Sequence, residues 1–410
     1  MSDVNNMENP FERPLYVMLK PVGATCNLAC EYCYYLEKSG LYRRVPNHLM
    51  SDSLLERFIE QYIGSQTMRD VMFTWHGGEA LLRPLSFYRK AVALQKKHAQ
   101  GHRISNCLQT NGILLNDEWC RFFKDEDWLI GISIDGPERF HDEYRRSRGG
   151  QPTFARVMRG IELLKKHGVE WNGMAVVNDY NGDYPLEFYH FFKDIECRYL
   201  QFTPIVERLI TDSEYVQLAS VTSHEASEIA DFSVSPRQWG DFLCAIFDEW
   251  VRNDVGKYYV QIFDATLANY AGVEPGVCSM ARQCGHAGVM EFNGDVYSCD
   301  HFVFPEYLLG NIRDTSLAEM MYSPRQAQFG AAKRGSLPRQ CLQCRFSTIC
   351  NGECPKNRFA VTADGEPGLN YLCEGYYRFF EHSAPYMEFM KRELDAERPP
   401  ANVMDLFKSK

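Results

Sequence analysis

Cys26, Cys30 and Cys33 form a CxxxCxxC run that directly follows a β-like stretch, Leu15 to Lys20. Three thiolates on one short loop can hold three irons of a 4Fe-4S cube and leave the fourth iron open to a small ligand. At this cysteine frequency the spacing arises by chance about 0.02 times per chain, so it calls for a chemical reason. The competing readings are a three-ligand zinc site or buried thiols. The aromatic Tyr32 just before the last cysteine favours the cluster. One β-like stretch further on stands Trp75-His76-Gly77-Gly78-Glu79. Without Cβ atoms, Gly77 and Gly78 let main-chain acceptors come close to a ligand ammonium, although an isolated Gly-Gly after a strand is usually just a turn. A third segment, Ile132-Ser133-Ile134-Asp135-Gly136, offers the Ser133 hydroxyl as a hydrogen-bond partner, or simply as a capping or turn serine.

The second concentration of chemistry lies near the C-terminus, in Cys278, Cys284, Cys299, Cys341, Cys344, Cys350, Cys354 and Cys373. Cys284 is followed by nine residues, Gly294, four residues and Cys299, and a CxxCxxxxxCxxxC run spans Cys341 to Cys354. Eight thiolates suit two metal centres of four ligands each, but spacing alone leaves zinc and iron-sulfur clusters both open. The chain holds 15 cysteines. Met1 to Arg13 is polar, without the apolar core of a secretion signal, and no stretch is long enough to span a bilayer, which predicts a cytoplasmic protein. A reducing cytosol does not keep disulfides, so clustered thiols there point to metal ligands. Cys107, Cys120, Cys197 and Cys244 fit neither constellation and read as core thiols.

These residues need elements to hold them. With 410 residues, 45% hydrophobic and 13% aromatic, the chain can bury a large core. Its net charge of -10, with no run of Lys or Arg, disfavours a nucleic-acid partner. Candidate strands at Leu15 to Lys20, Val71 to Trp75, Ile104 to Gln109, Leu129 to Ile134, Trp171 to Val177 and Tyr199 to Thr203 alternate with helical stretches. Ser51 to Ile63 is one such stretch, with a capping box from Ser53 to Glu56, and Thr153 to His167 and Pro185 to Ile195 are others. The expected fold class is α/β, a partial (β/α)6 barrel whose C-terminal loops carry the chemistry. Ile205 to Pro236 reads as irregular and Gln238 to Val251 as helical. From Cys278 to Cys373 periodicity is scarce, as in a domain tied down by metal ligation. An aromatic helix, Tyr376 to Leu394, follows, with Pro385 as a kink. The expected division is an N-terminal tail at 1-14, a barrel at 15-235, a helical linker at 236-272, a Cys-rich domain at 273-377 and a C-terminal helix and tail at 378-410.

With the cysteine triad after the first strand and the GGE and Ser-Ile-Asp-Gly segments behind the second and fourth, the sequence resembles the radical S-adenosylmethionine (SAM) superfamily. The resemblance implies that Cys26, Cys30 and Cys33 ligate a 4Fe-4S cluster whose open iron chelates SAM and reductively cleaves it to a 5'-deoxyadenosyl radical. It also implies cofactor contacts at Tyr32, near the adenine, and at Gly77, Gly78, Glu79 and Ser133. The C-terminal cysteines resemble the SPASM domain, which carries two auxiliary 4Fe-4S clusters, for three clusters in all. In that family Cys278, Cys284, Cys299 and Cys354 would hold one, and Cys341, Cys344, Cys350 and Cys373 the other.

Within that group the chain is most similar to anaerobic sulfatase-maturating enzymes, through Val22-Gly23-Ala24-Thr25-Cys26-Asn27-Leu28, Cys33-Tyr34-Tyr35, Gln109-Thr110-Asn111-Gly112, Gln201-Phe202-Thr203-Pro204-Ile205-Val206-Glu207 and Tyr297-Ser298-Cys299-Asp300. These enzymes oxidise a Cys or Ser in a Cys/Ser-x-Pro/Ala-x-Arg motif to Cα-formylglycine. The resemblance implies an unfolded or nascent sulfatase polypeptide as substrate and an electron donor such as flavodoxin or ferredoxin. It offers Asp300 as the base that takes the substrate proton, and Tyr35 and His76 as substrate contacts; many relatives carry Gln before GGE, so His76 is a departure. Two other readings stand beside this one. A SPASM enzyme forming thioether cross-links is disfavoured because the first strand begins near Leu15, which leaves little length for a peptide-recognition domain. A non-catalytic metal-stabilised module explains the cysteines but not the GGE and Ser-Ile-Asp-Gly segments.

Overall fold

The computed structural model describes residues 14-42, 48-211, 216-218 and 228-408. The N-terminal tail assigned to 1-14 lies almost wholly outside them, as do 212-215 and 219-227 of the stretch read as irregular. Six strands, β1 (Tyr16–Lys20), β2 (Asp70–Trp75), β3 (Arg103–Thr110), β4 (Trp128–Ser133), β5 (Trp171–Val177) and β6 (Tyr199–Pro204), pair in parallel in sequence order. They match the expected strands to within a residue at each end. Helices α1 (Asp52–Gly64), α2 (Leu85–His98), α3 (Asp117–Asp125), α4 (Glu138–Tyr144), α5 (Phe154–His167) and α6 (Pro185–Asp194) run between them. Parallel strands are covered on both faces and so read as apolar runs. Phe73, Trp75, Ile130 and Ile132 are accordingly fully buried, and Trp75 stacks on Trp128 at 6.0 Å.

The α1 cap differs from expectation. Ser51, not Ser53, caps the helix: its extended backbone sets its Oγ over the Leu54 N–H, which donates to it at 3.2 Å. Capping boxes form instead at Ser235 and Gln238, opening α7 (Pro236–Asn253), and at Ser316 and Glu319, opening the short helix Leu317–Met321. The stretch read as irregular contains three short strands, β7 (Arg208–Thr211), β8 (Val216–Leu218) and β9 (Glu228–Ile229), in a small antiparallel sheet.

The main sheet does not end with the barrel. β10 (Tyr259–Val260) extends it beyond β6, and on the other side β11 (Ala287–Glu291) pairs in parallel with β1, continuing through β12 (Asp295–Tyr297) and β13 (Leu308–Asn311). The register sets Tyr16 opposite Ala287 and Lys20 opposite Glu291. A hairpin from the Cys-rich segment thus completes the barrel's first strand, and Cys299 and Asp300 follow just after it.

On the far side, the C-terminal helix (Cys373–Asp395) packs lengthwise on α7. Gly240 and Gly375 meet there, and a Cβ on Gly375 would collide with the Pro236 carbonyl. No helix among the described residues is long and apolar enough to cross a membrane. Gly375→Ala is expected to lower the free energy of unfolding by about 1–3 kcal/mol through overpacking. Gly335→Ala, with no atom within 4 Å of its added Cβ, is the control that does not lower the denaturation midpoint.

Candidate active site

Cys26, Cys30 and Cys33 lie on the loop at the C-terminal end of β1. Burial pushes the Cys26 thiol up to about 11 and the Cys30 thiol up to about 12, so any metal held there would have to displace protons from buried thiols. The glycine loop after β2 is zipped onto this loop: Gly78 N–H donates to the Gly23 carbonyl at 2.7 Å and Glu79 N–H to the Thr25 carbonyl at 2.9 Å. A Cβ on Gly78 would collide with the Thr25 and Ala24 carbonyls, so close packing of two loops is what requires glycine there. With the N–H groups of residues 76–79 all engaged, the carbonyl side of this loop is the face that a ligand ammonium can meet.

Glu79 is buried and accepts from Leu81 N–H at 2.9 Å, Thr110 Oγ1 at 2.7 Å and Asn111 N–H at 2.8 Å. Its carboxylate is engaged in tying the β2 loop to the β3 loop. Ser133, at the end of β4, accepts from Gln109 Nε2 at 2.9 Å. Tyr32 is buried and donates to Asp135. Arg145 grips Asp135 with Nε at 2.8 Å and Nη2 at 3.1 Å, and Val176 N–H completes the carboxylate's shell. This Tyr32–Asp135–Arg145 cluster bolts the cysteine loop to the fourth and fifth strands.

A second cluster stands where β1 meets β11. Lys20 is fully buried. Its ammonium lies 2.5 Å from Asp300 Oδ1, 3.4 Å from His76 Nδ1 and 3.7 Å from the centre of the Tyr35 ring. Tyr34 donates to the other Asp300 oxygen at 2.7 Å, and Tyr35 donates to Glu291. Burial works against the charge on Asp300, but Lys20, His76 and His301 outweigh it and hold the carboxyl far below the usual range. Burial first, and then Lys20, depress His76 to about 4. Burial raises Glu291 to about 7. Asp300, His76 and Tyr35 are thus brought together around Lys20. Tyr35, however, is buried, and its contact is with Lys20 and Glu291.

Several of the eight C-terminal thiols lie close enough to act on one another electrostatically. Cys299 feels Cys354 and Cys278, Cys354 feels Cys278 and Cys284, and Cys284 feels Cys278. Cys350 feels Cys373 and Cys341, and Cys373 feels Cys341 and Cys344. Among the described residues no three His, Cys, Asp or Glu side chains close on one point as a mononuclear metal site needs. Lys333, buried, donates to the carbonyls of Cys278, Ser279 and Ala281 at 2.7, 2.5 and 2.5 Å and so fixes the loop that carries Cys278. All 15 cysteines are free thiols.

The model of the Radical SAM superfamily matches residues 21–192, and that of the SPASM iron-sulfur cluster-binding domain matches 282–345. A serine-type anaerobic sulfatase-maturating enzyme of Bacteroides thetaiotaomicron is 66% identical over 399 residues, 97% of this chain and 96% of that protein. The chain belongs to the anaerobic sulfatase-maturating enzymes. A cysteine-type member from Clostridium perfringens is 31% identical, over 91% of this chain and 97% of that protein. Among solved structures, native anSMEcpe with bound AdoMet superposes with a TM-score of 0.81 at 30% identity, over 92% of this chain and all of that one. The chain is therefore an iron-sulfur enzyme of the radical SAM class, as its sequence leads one to expect.

Sequence reasoning missed Lys20, Tyr34, Arg145 and Glu291. Lys20 left one trace, a charge ending the apolar run of β1. Arg145 left none, since its partners lie on other elements. Arg145→Met is expected to cost roughly 3–5 kcal/mol by leaving Asp135 buried without its counter-charge. Denaturation of the anaerobic protein measures this, with Arg145→Lys recovering only part because the two-pronged grip is lost.

Proposed function

We propose that this chain oxidises a serine in a Ser-x-Pro/Ala-x-Arg segment of an unfolded or nascent sulfatase polypeptide to Cα-formylglycine in the cytoplasm. The observation that carries the reading is the position of Asp300. It sits next to Cys299, is held by Lys20 and by Tyr34, the neighbour of Cys33, and so lies between the two ligand loops. A serine target is supported by the serine-type relative, which shares two thirds of its residues with this chain.

In this reading Cys26, Cys30 and Cys33 hold the SAM-binding cluster, the carbonyls of Gly77 and Gly78 meet the SAM ammonium, and Ser133 meets its carboxylate or ribose. Tyr32 stands beside the adenine and keeps the cysteine loop in position through Asp135, while Glu79 acts from behind by joining two loops. Cys278, Cys284, Cys299 and Cys354 hold one auxiliary cluster, and Cys341, Cys344, Cys350 and Cys373 the other. A small electron-transfer protein such as flavodoxin or ferredoxin serves as reductant. When bound, SAM and the clusters supply hydrogen-atom abstraction from the target Cβ and a sink for the remaining electron. The residues supply the rest. Asp300, ionised at neutral pH, accepts the hydroxyl proton, whose acidity rises once the neighbouring carbon has lost its hydrogen atom. Lys20 keeps the carboxylate aimed, and Tyr35 acts through Lys20 and Glu291.

Three clusters require about twelve irons per chain, and the triple variant Cys26→Ala/Cys30→Ala/Cys33→Ala should retain about eight. Iron analysis of anaerobically reconstituted protein decides this, and equal iron in both proteins would disprove the assignment of the triad. Incubated with SAM and reductant, a Ser-x-Pro-x-Arg peptide is expected to lose two hydrogens, as mass spectrometry would show. Asp300→Asn should abolish this loss while keeping its iron. Aldehyde formation at the parent rate in that variant rules Asp300 out as the base.

A further inference from the structure

The register of the main sheet sets one row of residues across the barrel. Lys20, His76 and Gln109, each one residue past the paired Leu19, Trp75 and Leu108, share that row with Gly131 and Asn172. Tyr199 and Tyr259 end it, with their rings stacked at 5.0 Å. Side chains alternate along a strand, so this row and Gln201, two residues beyond Tyr199, lie on the face that carries Lys20. At the β5–β6 end of the row is a cavity of about 460 Å³, bounded on its other side by the helix Gln261–Ala271 and by residues 274–277. Its walls carry Asn172, Gln201, Gln261, Asp264 and Glu274, and no lysine, arginine or histidine. Asn172 Oδ1 is buried there without a donor. Among the described residues, the carboxyls of Asp264 and Glu274 have no hydrogen bond or ion pair with the protein. Burial, with nothing to oppose it, pushes Asp264 up to about 7.

We propose that this cavity is the subsite for a guanidinium of the polypeptide substrate, with Asp264 as its carboxylate partner, Glu274 as a second, and the Tyr199–Tyr259 pair as the aromatic surface at its mouth. The inference rests on the reading of the chain as a formylglycine-forming enzyme and gives a place to the arginine of the Ser-x-Pro/Ala-x-Arg segment. A carboxyl taken out of water without a partner costs free energy, and an incoming cation recovers it. Walls that offer acceptors and negative charge but no cation repel an anion and draw a positive group in. Guanidinium suits them better than ammonium, because it is more weakly hydrated, presents a planar fork to a carboxylate and stacks on aromatic rings. The reach also fits. From β1 to β6 the sheet makes five strand spacings, an arc of about 24 Å that its curvature shortens. Four residues of extended chain cover up to about 14 Å, and the arginine side chain carries its charge further. A target beside Asp300 and an arginine in the cavity thus belong to one peptide lying across the barrel.

The test uses a Ser-x-Pro-x-Arg peptide, and versions with Lys or Gln in place of the arginine, with the anaerobic holoenzyme and SAM but no reductant. The parent protein should bind the Arg peptide roughly ten- to hundredfold tighter than the Gln peptide, the value of a hydrogen bond to a charged group. The Lys peptide should fall between them. Asp264→Asn keeps the shape of the side chain and removes its charge. It should cut the preference for Arg over Gln by about tenfold while leaving the affinity for the Gln peptide within about twofold. Its denaturation midpoint should equal or exceed the parent's, because the carboxyl it replaces is unpaired in the free protein. Equal binding of the Arg and Gln peptides by the parent overturns the proposal, whether or not the variant folds, and so does an undiminished preference in Asp264→Asn. A lost preference accompanied by a lowered midpoint marks Asp264 as a residue of the fold and overturns it too. Conversion is read separately: if the parent, given reductant, converts neither the Arg peptide nor its Cys counterpart, it is the maturase reading that fails.

Discussion

A single buried ammonium organises the centre of this molecule. Lys20 has no solvent to hydrate it, so its charge must be balanced within the protein. The balance comes from Asp300, a residue on a different part of the chain, brought within 2.5 Å because β11 pairs with β1. From that contact follow the aim of the Asp300 carboxylate, the position of His76 and the seat of Tyr35 beneath both. The pair gains little as stabilisation, since burying two charges costs much of what their attraction returns. Its effect is on orientation, because removing either member strands the other in the interior.

The cysteine loop is governed by a related device of different chemistry. Tyr32, Asp135 and Arg145 form a buried polar cluster with every carboxylate oxygen engaged, and such networks hold a unique geometry when fully paired. The glycine loop adds main-chain bonds to the same segment. The loop that carries the three cysteines is thus fastened from two sides, which keeps its thiols from scattering.

The six barrel strands were legible because each is a compact apolar run between helices of regular period, and the cysteine triad was legible because its spacing is rare. The pairing of β11 with β1 was not. Ala287–Glu291 is short, lies among glycines and cysteines, and acquires its meaning only from a partner far away in sequence. For the same reason Glu291 carried no local signal of its role and Lys20 only a charge at the end of an apolar run, while Asp300 was reached only through its family resemblance. Glu79 was expected to face the cofactor; no local pattern reveals that Thr110 and Asn111 already occupy its carboxylate. Periodicity reports on faces and spacing reports on ligands, but neither reports on which loops touch.

Because β11 completes β1, the barrel's first strand is an open edge until the Cys-rich half of the chain has been synthesised. A nascent chain carrying only the first six strands would present the unpaired backbone of Tyr16 to Lys20 to any extended segment that came near. The catalytic barrel is therefore not a free-standing module that could be excised or grafted onto another cluster domain. Cut away from its hairpin, it would be a sticky fragment with an unneutralised lysine at its rim.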